Sequence, residues 1–195
     1  MKSETDFINR LLNEKKKDKA FKELLDLYQK RLYWHIRKLV ITHENANDVL
    51  QNTFLRVYKS LSNFKQQSSL HTWMFKIAYN ESIRFLNNEN KKKNESLDDI
   101  SKTYLNNLTS DSFFEGDEVQ FKLQQILAEL PEKNRHIFQM KYFDDLKFKE
   151  MEAILEIKEG TLKTSYYATV KHIKENMLNV ELFSKKKVQL LITNT

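Results

Sequence analysis

Two glycines and one proline in 195 residues leave a chain few ways to turn sharply, and this constrains the fold more than any other feature of the sequence. A phosphate-cradling loop needs several glycines close together, and hairpin-rich sheets need turn residues at regular spacing. P-loop, Rossmann and most all-β folds are therefore excluded, and an all-α fold is expected. With no cysteine, the chain has no disulfide framework, no thiolate nucleophile and no Cys-ligated zinc. Its five histidines show no H-E-x-x-H or comparable spacing, so neither a metal nor another cofactor is expected. No apolar run approaches the roughly 18 residues that a membrane span requires. The N-terminus MKSETDFINRLLNEKKK lacks the apolar stretch of a signal peptide, so no membrane insertion and a cytoplasmic location are expected.

An apolar content of 40% can bury cores in one large or two small domains. The net charge of +6 permits a polyanionic partner, and its distribution is more telling. Residues 1–93 carry 19 basic and 10 acidic side chains, residues 94–118 carry 1 and 7, and residues 119–195 carry 13 and 10. The middle segment, NESLDDISKTYLNNLTSDSFFEGDE, is rich in Ser, Asn and Asp and shows no sustained helical period. It reads as a flexible acidic linker between a 1–93 domain and a 119–195 domain. Fully extended, it reaches on the order of 80 Å, about two turns of duplex DNA.

The first domain reads as three amphipathic helices. Phe21, Leu24, Leu25, Tyr28, Leu32, Ile36, Leu39 and Val40 recur at steps of three and four, and Ala46, Val49, Leu50, Thr53, Phe54, Val57, Tyr58 and Leu61 repeat the pattern more strictly. Asp48, Gln51, Asn52, Leu55 and Lys59 fall on the opposite face of the second helix. That face is either a seat for a partner helix or an ordinary solvated surface with one stray Leu. The third helix starts after Ser68 and Ser69, either of which can cap it, and buries Leu70, Met74, Ile77, Ala78 and Phe85. Trp73, Lys76, Asn80 and Arg84 share another stripe, within about 80° of arc. An aromatic face, an amide and two cations side by side suit a single strand of nucleic acid. The alternative is a core Trp with solvated cations, and spacing leaves both open. The Lys65–Ser69 loop and the Lys91–Lys93 run extend this polar track.

In the second domain, Val119, Leu123, Ile126, Leu127 and Leu130 mark a helix that stops at Pro131, which suits the first turn of the next. DDLKFKEMEAILEIKEGTLKTSYYATVKHIKEN then reads as helix-turn-helix: a short helix with Phe148, Met151, Ile154 and Leu155 inward, a turn holding Ile157 and Gly160, and a longer helix. Residues 144–159 hold six acids and three lysines, whereas Lys163, Lys171, Lys174 and Lys185–Lys187 dominate beyond, so the second helix is the expected DNA-facing one. A plain helical hairpin over a small core is the alternative.

Three segments, in order, resemble the bacterial RNA polymerase sigma factors of the small two-domain extracytoplasmic-function class. NANDVLQNTFLRVYKSLSNF resembles the segment that docks on the polymerase clamp helices. HTWMFKIAYNESIRFLNN resembles the stretch that opens and reads the −10 element. LAELPEKNRHIFQMKYFDDLKFKEMEAILEIKEGTLKTSYYATVKHIKENML resembles the domain that reads the −35 element. The resemblance implies a binding protein rather than an enzyme, whose partners are core RNA polymerase and promoter DNA, double-stranded at −35 and single-stranded at −10. It also implies regulation by a separate anti-sigma protein. Asp48, Gln51, Asn52 and Leu55 would contact polymerase. Lys65, Ser68, Ser69, Trp73, Lys76, Asn80 and Arg84 would hold the −10 strand as its bases leave the stack.

The recognition helix departs from the family pattern, with Ser165 and Ala168 where many relatives have arginines and Tyr166 and Tyr167 beside them. Phosphate contacts would then fall to Lys163, Lys171, Lys174 and the helix N-terminus near Thr161, and base reading to Thr164, Ser165 or Tyr167. Lys147 stands where a Ser or Thr cap is common, with Asp144 and Asp145 expected to favour the helix N-terminus instead. The tail SKKKVQLLITNT runs past the family pattern. A stand-alone helix-turn-helix regulator and a structural adaptor are the competing readings.

Overall fold

The computed structural model describes residues 4–93 and 118–193, so Gly116 and all of the acidic segment but Glu118 lie outside the described residues. Every regular element among the described residues is helical: α1 (Glu4–Leu12), α2 (Lys17–Val40), α3 (His43–Ser60), a 3-10 turn (Leu61–Asn63), α4 (Leu70–Lys93), α5 (Glu118–Glu129), α6 (Glu132–Tyr142), α7 (Phe148–Leu155) and α8 (Glu159–Thr193). Helix α1 is not among the elements expected from the sequence, and α8 carries on through the C-terminal tail.

Helix starts follow from local chemistry. The Thr42 hydroxyl accepts from the Asn45 N–H at 3.2 Å and opens α3. Of the two serines before α4, Ser69 is the cap, its hydroxyl accepting from the Thr72 N–H at 3.1 Å. The Leu70 N–H, a second orphan donor of this helix start, donates to the Glu4 carboxylate at 3.0 Å, so α1 ties down the beginning of α4. Ser69→Ala is expected to cost about 1 kcal/mol of stability, the usual worth of such a cap, read as a lower urea midpoint at unchanged slope.

Helices α2, α3 and α4 pack against one another in pairs, with Leu24, Leu32, Ile36, Ala46, Val57, Leu70, Met74 and Ala78 almost fully buried between them. Helices α6 and α7 pack on α8, and α5 also lies on α8. The two halves are not separate bodies. Helix α7 packs on α4 and α6 touches α2, so that Ile137, Met140, Leu146, Met151 and Ile154 join the same apolar cluster as the first half. Helix α4 is thereby buried on two sides. Phe75, which its single-stripe reading leaves out, is 1% exposed and lies between His35 and His71.

Two turns differ from the expected chemistry. Pro131 is the N-cap residue of α6 rather than part of its first turn, and its carbonyl accepts from the Asn134 and Arg135 N–H groups. The turn of the helix-turn-helix is made by Glu156, the left-handed C-cap of α7 at φ 58° and ψ 34°. Gly160 lies inside the first turn of α8 with no positive φ and open space around it, so the turn does not need its glycine. Left-handed backbone usually falls to Gly or Asn, and a Glu there is uncommon.

Candidate nucleic-acid interface

Three faces carry the residues singled out from sequence. On α3, Asp48, Gln51, Asn52 and Leu55 are all exposed, Leu55 at 53%. The inward stripe of α3 fixes this: with Val49, Thr53, Phe54 and Val57 buried, the positions half a turn away must face solvent. Gln51 and Leu55 border an apolar groove of about 510 Å³ between α2 and α3, floored by Phe21, Leu25, Leu50 and Phe54.

The stripe on α4 divides into two ends. Trp73 and Arg84 are eleven residues apart, which is about 16 Å of helix, so they share a direction but not a site. At the far end Arg84 sits beside α3, donating to Glu81 Oε2 at 3.2 Å, while Arg56 Nε pairs with Glu81 Oε1 at 2.8 Å. The buried Glu81 carboxylate thus holds two arginines near Asn52 and Leu55. Asn80 is exposed on the helix between the two ends.

At the near end, Trp73 is half-buried and tilted against Phe64, with ring centroids 4.9 Å apart. It is both a support for the core and part of the lining of a cleft of about 500 Å³, together with Lys65, Ser68 and Lys76. The loop before α4 is bent by Gln66 at φ 55°, and Lys65 and Ser69 are exposed on it. The opposite wall of this cleft belongs to α7: Glu152, Ala153 and Glu156. Lys76 Nζ donates to Glu156 Oε1 at 2.8 Å, and the Thr72 hydroxyl to Glu150 Oε1 at 3.4 Å. The hydrogen bond from Lys76, together with its charge, holds the Glu156 carboxyl below its ordinary value.

On α8, Thr161, Lys163, Thr164, Tyr167, Lys171 and Lys174 are exposed, while Ser165 is half-buried. Tyr167 is 61% exposed, and its neighbour Tyr166 turns in against Phe138 and Phe148. Lys163 pairs with Glu159 at 2.5 Å, and that hydrogen bond raises its pKa. Lys171 lies 3.9 Å from Glu175. Both partners are one helical turn away on the same surface, so each lysine must exchange a weak local contact for any phosphate it takes.

Sequence reasoning does not find the polar contacts between the halves. Asp144 does not serve the start of α7. It is turned into the first half, where Oδ2 meets His35 Nδ1 at 2.7 Å and Oδ1 accepts from Lys38 Nζ at 2.5 Å. Burial alone pushes its carboxyl up, but His35 and Lys38 outweigh that and hold it below the ordinary carboxylate value. The start of α7 is served by Glu150, whose carboxylate accepts from the Lys147 N–H at 2.8 Å; a lysine has no acceptor with which to cap. Asp145 is left exposed at φ 53°. Gln139 Nε2 donates to the Lys38 carbonyl at 3.4 Å, and Tyr79 Oη meets His136 Nδ1 at 3.4 Å. Burial depresses His136 to about 3 and raises Tyr79 to about 12, so both are neutral at pH 7. The one local hint is a histidine, His35, set among the buried positions Leu32, Ile36 and Leu39.

Comparison with known proteins agrees with this geometry. The model of Sigma-70 region 2 matches residues 24–92, and that of Sigma-70 region 4 matches residues 120–173. The chain is 29% identical over 167 residues to the ECF RNA polymerase sigma factor SigW of Bacillus subtilis, covering 80% of this chain and 88% of that one. It is 24% identical over 165 residues to the RNA polymerase sigma-H factor of Pseudomonas aeruginosa, covering 76% and 81%. Among solved structures it resembles the Bartonella quintana sigma factor RpoE in complex with the anti-sigma factor NepR, with a TM-score of 0.66 and 20% identity over 83% of this chain and 98% of that one. CnrH in complex with the cytosolic domain of CnrY gives a TM-score of 0.61 at 15% identity, over 89% and 98%. The region 2 match sets aside a stand-alone helix-turn-helix regulator, because such a protein has no use for a polymerase-docking half. With regions 2 and 4 both matched in order, the chain belongs to the sigma-70 family, in its extracytoplasmic-function class, and is a sigma factor that directs transcription initiation by core RNA polymerase at promoter DNA.

Proposed function

We propose that the three faces divide the work of initiation among them. The exposed face of α3, with Asp48, Gln51, Asn52 and Leu55, docks on core polymerase. The start of α4 and the loop before it, with Lys65, Ser68, Ser69, Trp73 and Lys76, take the −10 strand as its bases leave the stack, and Asn80 and Arg84 continue the track toward polymerase. The exposed side of α8, with Thr161, Lys163, Thr164, Ser165, Tyr167, Lys171 and Lys174, reads the −35 duplex. Residues 1–93 and 119–195 are the two working domains, and residues 94–118 connect them.

The observation that carries this reading is the pairing of an indole with Lys65 and Lys76 along one cleft at the start of a capped helix. Unstacking a base costs a few kcal/mol, and stacking on an aromatic ring returns about 1–3 kcal/mol per base. The protein acts by binding rather than by bond chemistry, and its place of action is the cytoplasm, where polymerase and promoters are. No described helix is long and apolar enough to cross a membrane. One of the two solved structures holds its sigma factor in complex with the anti-sigma factor NepR, which supports an anti-sigma partner for this chain too.

The direct test is to add the protein to core polymerase and a promoter library. Specific initiation is expected, and failure to bind core polymerase would refute the reading. At the −35 contact, Lys163→Ala with Lys171→Ala is expected to weaken holoenzyme binding to duplex promoter. The slope of log K against log salt should become shallower by about 0.9 for each phosphate that is no longer neutralised. An unchanged slope would remove these two lysines from the contact.

A further inference from the structure

Helix α1 stands outside the matched family regions, the first of which begins at residue 24, and none of the three proposed contact faces lies on it. Its seat in the fold is nevertheless firm. Ile8 and Leu11 are buried in the shared core, and Arg10, lying over the Phe7 ring, pairs with Glu23 of α2 at 2.8 Å. From that seat α1 reaches both ends of the loop that precedes α4. It packs on the 3-10 turn Leu61–Asn63, where the chain enters the loop, and its Glu4 carboxylate accepts from the Leu70 N–H, where the chain leaves it. Between these two points the backbone is bent at Gln66 and carries Lys65, Ser68 and Ser69.

We infer that Glu4 is a positioning residue for −10 reading: through its bond to the Leu70 N–H, α1 fixes where the Lys65–Ser69 loop and Trp73 meet the strand. This rests on the reading of that loop and Trp73 as strand contacts. The bond joins residues 66 positions apart, so it ties the loop's exit to a separate element rather than to its own neighbours. A carboxylate at the start of a helix satisfies an orphan N–H and lies at the positive end of the helix dipole. Leu70 is 1% exposed, so water can take over its N–H only if the end of the loop moves. Trp73 follows within the same first turn of α4, and its indole is tilted on Phe64 at the loop's entrance. Displacement of Leu70 is therefore passed to the ring and to the loop together. A loop held in one shape binds its ligand at little ordering cost and meets a wrong base with a clash or an unpaired group, whereas a loose one adapts to both. Glu4 thus acts on discrimination between −10 sequences, not on polymerase docking or the −35 contact.

The test uses holoenzyme assembled from core polymerase and the full-length chain, with a labelled promoter fragment whose mismatched −10 region stays open. The −10 sequence is first selected from a randomised pool by the unmodified holoenzyme. Discrimination is then the ratio of its affinity to that of the same fragment with a single −10 base exchanged. Glu4→Ala is expected to lower this ratio about tenfold, the low end of what a hydrogen bond to a charged group is worth. Affinity for core polymerase and for the −35 duplex should stay as before. Glu4→Gln keeps an acceptor within reach of the N–H and should recover most of the ratio. Glu14→Ala removes an exposed acid just beyond α1 and should leave the ratio unchanged. Because the ratio compares two fragments on the same preparation, a loss of folded protein does not move it. An unchanged ratio in Glu4→Ala, an equal loss in Glu14→Ala, or no recovery in Glu4→Gln overturns the inference.

Hydrogen exchange of the Leu70 amide in the free full-length chain gives a second measurement. It should quicken in Glu4→Ala and hold its rate in Glu14→Ala, and equal rates in Glu4→Ala and the unmodified protein also overturn the inference. The double variant Lys65→Ala with Trp73→Phe, which keeps a ring against Phe64, tests the strand reading itself. If it binds the open fragment as tightly as the unmodified protein, the strand reading fails and takes the role of Glu4 with it. If it binds more weakly while Glu4→Ala discriminates as the unmodified protein does, only the role of Glu4 is refuted.

Discussion

Asp144→Ala is expected to cost the protein about 3 kcal/mol. Removing one partner of a buried charge pair typically costs about 3–5 kcal/mol, because the remaining charge is stranded. The low end applies here because Lys38 keeps 20% of its surface in solvent and can recover some hydration, whereas the Asp144 side chain itself is only 6% exposed. The loss should be read at pH 7 by urea unfolding followed by circular dichroism. It should take a particular form: one transition in the parent, because the apolar cluster runs through both halves, and two in the variant, as the α6–α8 half parts from α2 and α4. The pH dependence has a definite sign. A carboxyl whose folded pKa is depressed contributes stability that is complete above its ordinary value, near pH 4, and is lost as pH falls through the depressed one. The gap between parent and variant should therefore be constant from about pH 5 upward and should shrink in stronger acid. A gap that widened on acidification would contradict the assignment.

Leu55→Arg should abolish most of the affinity for core polymerase while leaving the isolated protein as stable as before. Leu55 is 53% exposed and borders the α2–α3 groove, so its replacement by a charge leaves no cavity and strands no buried group. At the centre of a docked face it would behave as an anchor residue, where truncation alone often costs about 2 kcal/mol or more, roughly a thirtyfold loss in affinity. Introducing a guanidinium into an apolar contact adds a desolvation penalty. Titration of labelled core polymerase together with a thermal melt of the free factor separates the two effects. An unchanged dissociation constant would move the docking surface elsewhere, and a lowered melting temperature would mean that Leu55 supports the fold.

What can be read from the chain without its fold follows a physical divide. The 3.6-residue period exposes a helix whenever one side faces a core and the other faces water, so α2 and α3 and the exposure of Leu55 are legible from spacing. Helix α4 is only half legible: beyond its main stripe it buries Phe75 against His35 and His71, packs on α7 and sets the half-buried Tyr79 against His136 of α6, and a helix covered from two directions loses its clean stripe. Asp144 pairs with His35 across 109 residues, and no local pattern records a contact of that separation. Local reasoning assigns the acidic doublet to the nearest helix start instead, as it must. Gly160 misleads for a related reason. Glycine marks where a left-handed turn is easy, but the chain takes the left-handed conformation four residues earlier, at a Glu.

That Glu has a consequence for anyone who would engineer this protein. A left-handed helix end is the sort of position that stability-guided redesign fills with glycine, and Glu156→Gly would be expected to relieve the backbone and tighten the helix-turn-helix. The same change would delete the carboxylate that meets Lys76. A library ranked by melting temperature would thus favour molecules whose two halves have lost an ionic clasp. Thermal robustness and the contact between the two halves are set against each other at a single residue.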